Sequence, residues 1–182
     1  MDAAAEDIAF VPVWGLDGDP KIVGDVKRLW TGANLRPDVI ANRSNELCAV
    51  AYCGDELAAV STANIIYEPV LRNRLFGFRS LTAAQFRQRR LAWRITAYSF
   101  HLLQEWAAKH PEERILGTML YIETDKYKTG LLHPVRDGFG ITLHFVGYNS
   151  AGQQMRVAWF DHATLDDEAA KSRPPPPPDT MG

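Results

Sequence analysis

Arginine side chains crowd one stretch in the middle of the chain. Residues 72–94 contain seven of them, with no aspartate or glutamate between Glu68 and Glu105: Arg72, Arg74, Arg79, Arg87, Arg89, Arg90 and Arg94. Guanidinium groups pair bidentately with phosphate oxygens. The stretch therefore predicts a site for a polyphosphate ligand or a nucleic-acid backbone, in preference to a solvated charged surface.

Residues 86–92 are the part of this stretch that best suits an anion. They close a strand-like run and open an amphipathic helix, in which Leu91, Ile95 and Tyr98 begin a three- and four-residue repeat. A helix N-terminus presents free backbone N–H groups and the positive end of the helix dipole. We therefore expect backbone and arginine side chains to act on the same ligand.

Composition predicts one globular domain over residues 1–165 and a disordered, acidic and proline-rich tail over 166–182. The chain has 182 residues, of which 46% are hydrophobic and 23% charged, and its net charge is −2. Because the chain as a whole is slightly acidic, the basic stretch is local. A local patch favours a discrete anionic ligand over general duplex binding.

Several classes of protein are disfavoured by what the sequence contains. The two cysteines, Cys48 and Cys53, are expected to be reduced and buried, as in a cytoplasmic protein. The N-terminus has no pattern of a signal peptide, and no apolar run reaches the ~20 residues that span a bilayer. The five histidines have no metal-ligand spacing, so no metal site is expected.

Hydrophobic patterning predicts an α/β protein with helices packed on a largely antiparallel sheet. Residues 37–45 are expected to form a loop or a short helix. The predicted strands are 8–14, 47–52, 57–66, 75–81, 115–122, 141–148 and 154–160, and the predicted helices are 20–35 and 91–110.

This order of elements, with a basic strand–loop–helix in its middle, resembles the GNAT (N-acetyltransferase) superfamily. The family's acyl-CoA motif is Arg/Gln-x-x-Gly-x-Gly/Ala, and the matching run here is Arg87, Gln88, Arg89, Arg90, Leu91 and Ala92. The resemblance implies a GNAT-like mixed sheet with helices on both faces. It also implies acetyl-CoA or another acyl-CoA as cosubstrate, with its pyrophosphate held by the backbone N–H groups of residues 88–92. Arg90 stands where the family usually has glycine; helical φ and ψ angles need no glycine, so an outward-pointing Arg90 is compatible with the site.

The resemblance extends to catalytic groups for direct transfer of an acyl group to an unidentified amine. Tyr127 is the candidate for the acid that protonates the departing thiolate, and Gly138-Phe139 matches a dipeptide that follows in the family. A general base should lie at the end of a central strand, within reach of the amine. Glu68 and Glu123 have such positions, although either is also explained as a solvated charge at a strand end.

Two alternatives stay open at this stage. One is a nucleotide- or nucleic-acid-binding (or modifying) protein on a GNAT-like scaffold, with Phe76, Phe78, Phe86 and Trp93 as stacking platforms if they are exposed. The other is an interaction protein that forms a homodimer by extending its sheet through the C-terminal hairpin. The aromatic residues of that hairpin are Phe145, Tyr148, Trp159 and Phe160.

Overall fold

The structure is a computed structural model that describes residues 8–16, 18–122 and 133–165, apart from the side chains of Gln88 and Arg89. These ranges contain eight strands and three α-helices. The strands are β1 (Ile8–Pro12), β2 (Leu47–Cys53), β3 (Glu56–Glu68), β4 (Asn73–Thr82), β5 (Ile115–Ile122), β6 (Val135–Gly138), β7 (Ile141–Tyr148) and β8 (Gln154–Trp159). The helices are α1 (Pro20–Gly32), α2 (Pro37–Arg43) and α3 (Leu91–Lys109).

The described strands form one sheet in the order β1-β2-β3-β4-β5-β8-β7-β6. Of these neighbours, only β4 and β5 run parallel; the other pairs are antiparallel. The expected mixed, largely antiparallel sheet is therefore confirmed. Pro12 lies in β1, at an edge of this sheet, where its missing N–H group breaks no ladder hydrogen bond.

Helices α1 and α2 cover one face of the sheet. Asp19 caps α1 by accepting a hydrogen bond from the backbone N–H of Lys21 at 2.8 Å, and Pro20 provides the first helical residue. The apolar side of α1 then buries Val26 and Trp30 against the first strands of the sheet. The residues of α2 contribute Ile40 to the same cluster.

Helix α3 covers the opposite face, so the prediction of helices on both faces is also confirmed. Phe100 and Leu103 of α3 pack with Phe76 and Phe78 of β4 in a continuous aromatic core. The ring of Phe76 lies 5.2 Å from that of Trp14, centroid to centroid. We call this side of the sheet the α3 face and the other side the open face, because α1 and α2 cover only its first strands.

The strand β6 and the position of the C-terminal hairpin differ from the predictions. Only Val135 of the four residues in β6 is apolar, too little pattern to predict a strand. The hairpin of β7 and β8 was expected to offer a sheet edge, but both strands are paired on both sides. Phe160 is only 3% exposed and packs on Phe100, so it belongs to the core.

Two further findings concern membrane-spanning helices and the two cysteines. None of the helices in the described ranges is long and apolar enough to cross a membrane. Cys48 and Cys53 are not joined in a disulfide, and the first is buried while the second is half-buried.

Candidate active site

The two parallel strands, β4 and β5, separate towards their carboxyl ends. Their pairing runs from Arg74 with Ile115 to Phe78 with Leu120. Beyond that point β4 continues for four residues and β5 for two without pairing to each other, while β5 goes on pairing with β8. Sheets with parallel strands bind ligands in the crevice beyond the carboxyl ends, where neighbouring strands lead in different directions. The gap between β4 and β5 is such a place.

The basic turn lies at the same end of the sheet. After β4 the chain forms a short 3-10 helix, Ala84–Arg89, and then enters α3. The turn is anchored by Phe86 and Leu91, which are 5% and 0% exposed and share a cluster with alanines of β2 and β3. Leu91 can therefore serve a ligand only through its backbone. The exposed side chain of Arg87 reaches back, with its Nε atom 3.4 Å from the carbonyl oxygen of Thr82.

Arg90 has a conformation that the sequence did not predict. Its φ and ψ angles are 52° and 20°, in the left-handed region and outside the right-handed helical one. A Cβ atom makes this region costly, and glycine adopts it freely. Position 90 is thus one where glycine would suit the backbone. The Arg90 side chain is exposed and points away from the core.

The start of α3 has backbone donors to offer. Trp93 and Arg94 both donate their N–H groups to the carbonyl oxygen of Arg90, at 3.1 Å each. Leu91 and Ala92 precede them, so helix geometry provides no acceptor for their N–H groups within α3. No side chain caps the helix at Arg90. An anion placed here would meet free N–H groups and the helix dipole together.

The seven arginines of the sequence do not form one patch. Arg72 and Arg74 lie at the start of β4, at the far end of the strand from the turn, and Arg74 pairs with Glu113 at 2.7 Å. Arg94 lies over the ring of Phe10, 5.3 Å from its centroid. Arg87 and Arg90 remain at the turn. Linear spacing overestimated the local charge because β4 separates the two ends of the stretch by roughly 30 Å.

A cavity of about 480 Å³ borders the turn on the side of α1, and Arg87 and Thr82 are among its lining residues. Asp25 lies across from them and accepts a hydrogen bond from the hydroxyl of Tyr52 at 2.7 Å. This hydrogen bond lowers the pKa of Asp25, and burial together with the same bond raises the pKa of Tyr52. Arg87 therefore faces open space into which a ligand could extend.

On the open face, polar residues lie beside the gap between β4 and β5. Thr62 and Asn64 of β3 stand opposite Arg79 and Gly77 of β4, and Tyr121 follows the last β5 residue that pairs with β4. Burial raises the pKa of Tyr121, the charge of Glu68 raises it further, and the charge of Arg79 lowers it. Sequence patterning missed this group because its members lie on three strands whose register no motif encodes.

Of the three predicted catalytic residues, the structure describes only Glu68. Glu68 is 8% exposed and ends β3 opposite Asn73, at the end of β4 that is remote from the basic turn. Its Oε1 atom accepts a hydrogen bond from the N–H of Val70 at 3.2 Å. Glu123 and Tyr127 lie outside the described residues. Gly138 ends β6, and Trp93 packs against it.

The aromatic residues near the arginines are mostly core residues. Phe76, Phe78 and Phe86 are 0%, 3% and 5% exposed. Trp93 is half-buried, and the guanidinium of Arg136 lies over its ring at 5.1 Å from the centroid. The three phenylalanines therefore cannot stack on bases without unfolding part of the core.

This sheet, the three helices and the β4–α3 turn form a GNAT-like fold. The structure is similar to that of Arabidopsis thaliana NAA60 in complex with acetyl-CoA, with a TM-score of 0.50 and 13% identity over 85% of this chain and 99% of that one. It also matches Ard1 from Thermoplasma volcanium, with a TM-score of 0.47 and 12% identity over 84% of this chain and 95% of that one. No protein-family model and no curated protein sequence matches the chain.

Proposed function

We propose that this protein is an acyl-CoA-dependent N-acyltransferase that acts by direct transfer. The proposal rests on two features at the same end of the sheet. The gap between β4 and β5 opens there, and the N-terminus of α3 lies beside it with no side-chain cap among the described residues. The fold supports it, since the similar NAA60 structure is a complex with acetyl-CoA. The acyl group and the acceptor are not defined by the fold.

The basic turn suits the pyrophosphate of coenzyme A. In this proposal the N–H groups of residues 88–92 hold the phosphates, and Arg87 and Arg90 contribute charge from exposed positions. The remainder of the acyl-CoA molecule runs into the gap between β4 and β5. A backbone N–H group of one of these strands would then polarise the thioester carbonyl.

The transfer itself needs one bond to form and one to break. The amine nitrogen attacks the thioester carbonyl carbon, the new C–N bond forms an amide, and the C–S bond breaks to release the thiolate of coenzyme A. A base accepts the proton that the amine loses, and an acid protonates the thiolate. Tyr127 remains our candidate for the acid, and Glu123 and Glu68 for the base.

The position of Glu68 bears on its role. Because Glu68 ends β3 beside the first residue of β4, an amine held at the gap would reach it only through intervening groups or water. Tyr121 is nearer to the gap, and its pKa responds to the charge of Glu68. We therefore propose Glu68 as a group that acts at a distance, through Tyr121 or water.

Titration calorimetry with acetyl-CoA tests the function directly. We expect binding, and we expect Arg87→Ala to weaken it about tenfold through loss of one charged contact at an exposed site. Arg74→Ala is the matched control: it removes the same charge at the far end of β4 and should leave the affinity unchanged. Stability should change by about 0.5 kcal/mol or less for Arg87→Ala, because the side chain is exposed.

The same experiment decides against the proposal if the protein binds neither acetyl-CoA nor longer acyl-CoAs at millimolar concentration. A nucleic-acid-binding protein would instead bind DNA with an affinity that falls steeply with salt concentration. The buried phenylalanines do not favour that alternative. A cytoplasmic location and a homodimer remain predictions, which fractionation and light scattering would test.

A further inference from the structure

The open face carries a small polar surface that the basic turn does not use. We call it the acceptor surface and define it by five residues: Thr62, Asn64, Gly77, Arg79 and Tyr121. It lies between two apolar clusters, one that joins α1 to Leu81 and one formed by residues such as Leu75 and Met119. Polar residues that lie between apolar clusters, beside a gap in the sheet, are more typical of a binding site than of a solvated surface.

Asn64 provides the first sign of a ligand. Its side-chain oxygen is buried, and none of the residues that the structure describes donates a hydrogen bond to it. A buried amide oxygen without a donor costs free energy, so such atoms in native proteins usually have a partner. An ammonium or amine N–H group is a donor that would satisfy it.

Gly77 allows the Asn64 amide to lie close to β4. A Cβ atom at this position would lie 3.0 Å from Asn64 Oδ1 and 3.1 Å from the side chain of Ile66. Any side chain at position 77 would therefore displace the Asn64 amide. Gly77 is also paired with Met119 of β5, only two residues before the strands part.

Arg79 provides the second sign. It stands opposite Thr62 and diagonal to Asn64, and it is half-buried. Within the described part of the chain it forms no hydrogen bond or ion pair, whereas Arg74, five residues earlier in β4, is paired with Glu113. A guanidinium carries five donors in a fork that matches a carboxylate. The charge of Arg79 lowers the pKa of Tyr121.

We propose that the acceptor surface binds an amine that also carries a carboxylate, with the amine at Asn64 and the carboxylate at Arg79. This inference rests on the proposed function, since it assigns the substrate class of the same site. Simple cationic amines are disfavoured, because the charge of Arg79 would repel them beside the gap. An amino acid offers both groups at once, a donor for the amide oxygen and an acceptor for the guanidinium.

The test compares L-amino acids with the corresponding amino acid amides as acceptors for acetyl-CoA, by mass spectrometry and thiol release. Each pair has the same side chain and α-amine, and the amide replaces the carboxylate with a neutral group. We expect at least one amino acid to be acetylated with kcat/KM about tenfold or more above that of its amide. Arg79→Met should abolish this difference by raising KM for the acid, and Arg79→Lys should restore part of it.

Gly77→Ala provides a second line of evidence. Its methyl group should reduce turnover of acid and amide alike, while the affinity for acetyl-CoA, measured separately by calorimetry, should stay within about twofold of the parent protein. Equal rates for acids and amides, or acetylation of neither, would overturn the inference. If acetyl-CoA still binds in that case, the proposed function survives; if acetyl-CoA does not bind, the proposed function itself has failed.

Discussion

The two faces of strand β4 are made of different kinds of residue. Phe76 and Phe78 point to the α3 face, where they are buried among the rings of Trp14, Phe100 and Phe160. Gly77 and Arg79 alternate with them and point to the open face. One strand thus serves packing on one side and a polar surface on the other.

The two faces differ in the hydrogen-bond partners of their polar groups. On the α3 face, the hydroxyls of Ser61 and Ser99 lie 2.8 Å apart, and Ser61 also bonds the backbone of Ala49. Trp14 and Thr82 are exceptions there, since the indole N–H and the threonine hydroxyl have no hydrogen-bond partner among the described residues. On the open face, within the same described residues, the amide oxygen of Asn64 lacks a donor and Arg79 forms no ion pair. Unpartnered polar atoms therefore occur on both faces, and the open face differs because Asn64 and Arg79 lie on adjacent strands beside the gap between β4 and β5.

The largest expected effect comes from truncating a buried side chain on the α3 face. Phe76→Ala should lower the free energy of unfolding by about 3–5 kcal/mol, because it leaves a cavity in a core where Phe76 is 0% exposed. Urea unfolding followed by tryptophan fluorescence would measure it. Arg79→Ala, on the other face of the same strand, should change stability by about 0.5 kcal/mol or less.

Comparable losses for these two variants would contradict the division between a packing face and an open face. A loss of acceptor turnover in Arg79→Ala, together with full stability and normal acetyl-CoA binding, would sharpen it. The pair of variants therefore separates fold from function on a single strand.

A second prediction tests how dry the α3 face is. Burial raises the pKa of the Cys48 thiol from 9.0 to about 12, although hydrogen bonds with Ser99 and Ser61 act in the other direction. The folded protein therefore keeps a proton that the unfolded chain releases above pH 9. The stabilisation is fully present below that pH and is lost as the pH rises towards 12, with a loss of about 1.4 kcal/mol between pH 8 and pH 10.

Urea unfolding of the parent protein and of Cys48→Ala, at pH 8 and pH 10 with a reductant present, measures this contribution. The variant should be less stable at pH 8 but should lose less stability between the two values. An equal loss in both proteins would mean that water or another group reaches the thiol, and that the α3 face is not dry at this point.

The fold was largely predictable from the sequence, since strong patterns report local structure. The run 75–81 and the repeat that begins at Leu91 became β4 and α3 within one or two residues. The acceptor surface was not predictable, because it depends on register: Asn64 meets Gly77, and Tyr121 comes near Arg79, only once three strands are aligned. Likewise, seven arginines in sequence became separate groups once β4 extended between them.

The basic turn was predictable from the sequence only in part. The motif indicated that the turn precedes a helix, and in the structure α3 begins directly after it without a side-chain cap among the described residues. The left-handed conformation of Arg90 was not evident, because a φ angle is set by how the 3-10 helix meets α3. The same residue therefore has a backbone suited to glycine and a side chain suited to phosphate.

The smallest expected effect follows from this conflict, and it has opposite signs for stability and binding. Arg90→Gly removes the Cβ atom from a left-handed position and should raise the free energy of unfolding by about 0.5–1 kcal/mol, after the entropy of glycine in the unfolded chain is allowed for. The affinity for acetyl-CoA should fall about fivefold, because one exposed charge near the phosphates is lost. Arg90→Ala is the matched control, since it loses the same charge but keeps the Cβ atom: its affinity should fall equally and its stability should not rise. Tighter binding in Arg90→Gly alone would show that the Cβ atom, rather than the missing charge, governs how closely the cofactor approaches the backbone at this turn.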